Sequence, residues 1–285
     1  MSFAETVLLG ALAGFTIYLG LPFGRLHVMS GRVRVGLAMF AVGVLSFLFV
    51  DVLSHAFTIV EAAVTSYKDH HSSFGHALAM AALLGGGFAA GTAGLGMLER
   101  VIKPAKGPAP LAGGATDTMA SAQAALLDRE ADLARSRALR TGMTIAAAIG
   151  LHNFAEGLAI GVSASTGEIG LATVLIIGFA LHNATEGFGI VGPLGDVKPS
   201  WGWLGLVGLI GGGPTFLGAM LGYEVTSQPL ELAFYAVSGG AILYVISEVW
   251  NGMRRYGHRE LGLWLLSLGF FVGVATDLVV AYGGG

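Results

Sequence analysis

Apolar residues in this chain do not alternate with polar ones at the spacing of a half-buried strand or a surface helix. They come in long blocks separated by polar stretches. A block of roughly twenty apolar residues crosses about 30 Å of hydrocarbon as a helix, the one single-segment structure that pairs its own backbone N–H and C=O groups. Blocks of this length run about 3–22, 35–58, 75–98, 141–163, 169–191, 201–222, 230–250 and 260–282. The pattern predicts an all-α, polytopic membrane protein, eight transmembrane helices forming a single domain over 1–285. The first block lacks a basic lead-in and a separate cleavage site, so it is read as a retained helix rather than a signal peptide.

The polar stretches between the blocks differ in charge. Arg25, Arg32 and Arg34 lie in the first connection, and Arg100, Lys103, Lys106, Arg129, Arg135, Arg137 and Arg140 in the third. Lys198 lies in the fifth and Arg254, Arg255 and Arg259 in the seventh, while the second, fourth and sixth together hold only Lys68. By the positive-inside rule the odd connections are cytoplasmic and both termini are outside. The third connection, about 99–140, is the one long loop and is expected to be mobile and cytoplasmic. Its "KPAKGPAPLAGGATD" has the Pro/Gly/Ala content of an irregular segment. The Ala-rich stretch that follows is expected to form a helix running into the fourth span, with Asp117 as its N-cap.

Composition agrees with the blocks: 54% of the residues are hydrophobic and 12% charged, with a mean hydropathy of +0.73. The 46 glycines suit close helix packing in lipid. With no cysteine, thiolate sites and disulfides are excluded, so any metal must be held by nitrogen and oxygen. Nothing in the charge distribution calls for nucleic acid.

One string occurs twice, as "LHNFAEGLAIG" from Leu151 and "LHNATEGFGIVG" from Leu181. Positions i and i+4 share a helix face, so His152 projects with Glu156 and His182 with Glu186. The short "SASTGEIG" makes the fourth and fifth spans an antiparallel hairpin. With its turn near Ile169, His152 lies 17 residues before and Glu186 17 after, and Glu156 and His182 lie 13 on either side. The four groups are therefore expected to form two rungs of one cluster within the bilayer. Ionisable groups there cost roughly 2.5–3.5 kcal/mol each on insertion scales, which demands pairing or a ligand. Two imidazoles and two carboxylates are a ligand set for a divalent first-row metal. Asn153 and Asn183 add amide oxygens, and Gly157 and Gly187 are assigned to helix contact.

Other polar groups fall within or beside the spans. Asp51 and His55 are four residues apart towards the outer end of the second span, where entry relay and helix pairing are both open. Asp277, towards the outer end of the eighth, is a candidate entrance carboxylate. His70, His71 and His76 in "KDHHSSFGH" could collect a cation outside or form an ordinary polar loop.

These strings, in an eight-span chain with a long third connection, resemble those of the ZIP family of divalent-metal transporters. The resemblance covers essentially the whole chain. It implies a metal site in the helix-bundle core, with His152, Glu156, His182 and Glu186 at a first position and Asn153, Asn183 and Glu186 at a second. It also implies that Glu248, near the inner end of the seventh span, is an acidic exit group, against which a salt bridge to Arg254 or Arg255 is the alternative. Ala155 and Thr185 stand where family members often have proline. Gly213 stands where some bacterial members have an acidic residue, which depletes the second position.

The expected function is transport of a divalent transition metal, zinc first, across the bacterial cytoplasmic (inner) membrane into the cytoplasm. Cadmium, iron, manganese, cobalt and nickel fit the same nitrogen/oxygen ligands. The metal is cargo rather than a catalytic cofactor, and the protein is not expected to be an enzyme. The partners are divalent ions and membrane lipid, with a homodimer left open. The alternatives are an intramembrane metal-dependent hydrolase, for which the chain has no HExxH string or Ser/His/Asp set, and a metal sensor acting through the long loop.

Overall fold

A computed structural model describes residues 1–26, 30–97, 118–165, 169–224 and 227–282. Among them there is no strand. The helices are α1 (Phe3–Phe15), α2 (Gly31–Lys68), α3 (Phe74–Ala89), α4 (Thr118–Ser165), α5 (Ile169–Val191), α6 (Trp201–Glu224), α7 (Gln228–Arg254) and α8 (Arg259–Tyr282). Seven stretches of described residues are long and apolar enough to cross a membrane: Phe3–Arg25, Gly31–Lys68, Phe74–Met97, Leu126–Ser165, Trp201–Glu224, Gln228–Arg254 and Arg259–Val279. With α5, of 23 residues, they account for all the apolar blocks.

Local sequence sets several boundaries. The side chains of Ser2, Ser30, Ser73 and Ser200 each accept from a backbone N–H three residues on, at 3.1–3.3 Å, satisfying an N–H that the first helical turn leaves unpaired. Ser2 and Glu5 complete a reciprocal capping box. The first span is not one α-helix: it tightens after Phe15 into 3₁₀ turns at Thr16–Leu19 and Leu21–Arg25, around Gly20 and Pro22. By contrast, α2 has 38 residues and outruns its apolar block at both ends.

The helix expected before the fourth span is present and continuous with it, so α4 is 48 residues long. Residues 118–140 are therefore helix rather than loop, consistent with their Ala-rich composition. The Pro/Gly/Ala segment and Asp117 lie outside the described residues.

α4 is central, with 72% of its most apolar window buried against 17% for α3 and for α8. It packs most extensively on α6, and also on α7 and α5, while α2 lies against α8, α7 and α5. Glycines set the α4–α6 approach. A side chain at Gly157 would collide with the Thr215 carbonyl, and one at Gly218 with the Phe154 carbonyl. Gly187 of α5 does the same for the tightened end of the first span, where a Cβ would stand 2.8 Å from Gly20 Cα. The two motif glycines are thus packing residues, as expected.

The basic connections meet at one end of the bundle. Arg25 donates to Pro199 O at 2.5 Å and lies over the Trp201 ring. Arg34 pairs with Asp196 at 3.4 Å, and Arg255 donates to Pro193 O at 3.0 Å. Tyr256 lies between the guanidiniums of Arg34 and Arg255, and Arg135 reaches Lys198 O at 3.5 Å. The odd-numbered connections therefore share one face.

Candidate metal centre

The centre lies where α4, α5 and α7 meet. His152 and Glu156 occupy one face of α4 and point at His182 of α5. Glu156 Oε1 is shared: His152 Nε2 lies 2.9 Å away and His182 Nε2 2.5 Å. The ligand atoms of His152, Glu156 and His182 all lie within 4.8 Å of one another, and this is the one such grouping of three or more among the described residues. All three side chains are buried, so the pairing is shielded from water.

Glu186 stands beside this group rather than in it. Its Oε2 accepts from Asn153 Nδ2 at 3.1 Å, and Asn153 also donates to Gly211 O at 2.9 Å. Asn183 donates to Ala13 O at 3.2 Å, so both asparagines spend their N–H groups holding neighbouring helices. Four oxygens of the repeated strings are left buried without a hydrogen-bond donor: Asn153 Oδ1, Asn183 Oδ1, Glu156 Oε2 and Glu186 Oε1. Buried oxygens without donors carry a desolvation cost that a cation would remove. Such a set accepts positive charge and fits no anion.

One participant was not singled out from the sequence. Ser238 of α7, fully buried, lies 2.9 Å from His152 Nδ1 through its hydroxyl. Holding Nδ1 fixes the ring and leaves Nε2 facing Glu156, the role that outer partners play for metal-binding imidazoles. A lone serine in "AVSGGAI" has no spacing signal, because its partner is 86 positions away. Thr215 Oγ1 of α6, unlike Ser238, is buried without a partner, close to Gly14 of α1.

The flanking candidates are distributed along the bundle. Asp51 is partly exposed, and His55 Nδ1 stands 3.7 Å from its carboxylate. Asp277 is exposed on α8, and Glu248 is half-buried on α7 towards the face that carries the basic connections. His70, His71 and His76 are exposed at the opposite end and do not form a three-residue metal group.

Comparison with known proteins points the same way. The chain is similar to the zinc transporter ZupT of Clostridium perfringens (strain 13 / Type A), 28% identical over 160 residues, which cover 53% of this chain and 54% of the relative. The match thus spans about half the length of that relative. Residues 111–272, which include both repeated strings, match the family model described as ZIP zinc transporter. The match takes in more than half of the chain, and the protein is a member of the ZIP zinc transporter family.

Proposed function

We propose that this integral membrane protein carries a divalent transition-metal ion, zinc first, across the bacterial inner membrane into the cytoplasm. The observation that carries the reading is the buried convergence of His152, Glu156 and His182 within 4.8 Å, in a chain of the ZIP zinc transporter family. Glu186 joins these three as the second carboxylate, and the amide oxygens of Asn153 and Asn183 complete the surroundings. The ion gives up water, is held by imidazole and carboxylate, and leaves again. Binding must be moderate, because a path needs sites that ions can also leave.

The proposal takes α5 as the eighth span, since 23 helical residues reach about 35 Å, enough for the hydrocarbon core. It places the shared face of basic connections in the cytoplasm and both termini outside, within a single domain. Asp51, His55 and Asp277 then lie on the entry side and Glu248 on the exit side. Membrane lipid surrounds the bundle. The hydrolase and sensor readings are not favoured, since membership of a zinc transporter family supports transport.

Purified protein in liposomes loaded with a zinc-sensitive dye tests the function. Zinc entry should depend on His182 and Glu156. A folded protein that binds zinc but supports no flux would support the sensor reading instead.

A further inference from the structure

A cavity lies about one helical turn beyond the His/Glu cluster, at the end opposite the basic face. It has a volume of about 300 Å³ and is lined by Leu158 and Val162 of α4 and by Gln228, Glu231 and Tyr235 at the start of α7. At about 30 Å³ per water it holds on the order of ten waters, enough for a divalent ion that keeps its hydration shell. Its α4 wall is aliphatic, so charge recognition falls to Glu231, with Gln228 and Ser227 as polar neighbours.

Glu231, Tyr235 and Ser238 are spaced i, i+4 and i+7 on α7, which places them on one face. That face runs from the cavity to the hydroxyl that holds His152. Glu231 and Tyr235 both line the cavity. The Tyr235 ring lies 5.7 Å from the His55 ring, and His55 pairs with Asp51. Polar groups on α7 thus lead from the cavity to Ser238, beside His152.

We infer that this cavity is a capture site for a hydrated divalent cation, with Glu231 as its charged ligand and Tyr235 as the threshold between it and His152, Glu156 and His182. The inference rests on the transport reading and adds the place where cargo waits. A carboxylate between low-dielectric walls focuses its field and raises the local cation concentration. The simpler role for an acidic residue in a first helical turn is to complement the helix dipole. That role affects stability but not cation affinity.

The two roles separate in liposomes over a series of zinc concentrations. Glu231→Gln should raise the half-saturating concentration about tenfold while the maximal rate falls much less, and Glu231→Asp should recover most of the loss. A Glu231→Gln protein with a lower melting temperature but an unchanged half-saturating concentration overturns the inference. A binding measurement in detergent tests it without transport. With the centre disabled by His182→Ala, one weak zinc site should remain in equilibrium dialysis, and adding Glu231→Gln should remove it. Survival of that site in the double variant also overturns the inference, whereas absence of flux in the parent protein overturns only the transport reading.

Discussion

Two imidazoles approach one oxygen, Glu156 Oε1, at 2.9 and 2.5 Å. A tetrahedral first-row ion with bonds of about 2.0–2.1 Å keeps its ligands about 3.3 Å apart. An ion there would replace the hydrogen bond between His182 and Glu156, and the side chains need to separate by less than about 1 Å. Removing either end of the shortest contact removes a candidate ligand and leaves its buried partner without that hydrogen bond. His182→Ala or Glu156→Ala should abolish zinc flux in liposomes while the protein remains monodisperse in detergent. Near-normal flux in both would exclude the centre. Ser238→Ala should be milder, lowering zinc affinity about 10–100-fold, as loss of an outer-shell partner does. A competition titration with a chromogenic chelator measures the change, and unaltered affinity would mean that the hydroxyl merely fills space. The convergence of His152, Glu156 and His182 was legible because each His–Glu pair falls at i, i+4 and the pairs repeat at matched distance from a turn. Ser238 and Glu231 were not, because each acquires its meaning from a neighbour on another helix.

Among the elements, the close pair α4 and α6 bears the tightest constraint. Backbone meets backbone where Gly157 faces Thr215 and Gly218 faces Phe154, with no room for a Cβ on either side. Gly218→Val forces the helices apart and should destabilise the protein by ~1–3 kcal/mol or more, as overpacking of close-packed interiors does. A fall in melting temperature in detergent checks this, and a wild-type value would contradict the packing. Apolar block length reports where lipid contact is required, so the existence and order of the helices could be read from the sequence. Helix ends could not, because they depend on caps and polar turns beyond the hydrocarbon. That is why α2 and α4 outrun their blocks. The change from α-helix to 3₁₀ turns near Gly20 lay hidden within an apolar run, since hydropathy does not distinguish two backbone windings of equally greasy residues.

For the whole molecule, charge sets what is expected of both orientation and ion count. The basic face formed by Arg25, Arg34, Arg135 and Arg255 should be cytoplasmic, and the chain has no cysteine to complicate labelling. In intact cells an impermeant thiol reagent should modify His71→Cys and spare Arg137→Cys; the reverse result would invert the topology. Two carboxylates, Glu156 and Glu186, balance one divalent ion, whereas the asparagines bring no charge to offset a second ion a few ångströms away. Metal analysis of protein equilibrated with modest zinc should find one tightly held ion per chain, and two of equal affinity would refute that balance. The unbroken α4 has a mechanical consequence. Its 48 residues form a rod about 72 Å long, with Thr118 about 50 Å from His152. A tilt of about 10° about His152 would sweep Thr118 through about 9 Å, so a small rearrangement at the His/Glu cluster would be magnified at the far end of the rod.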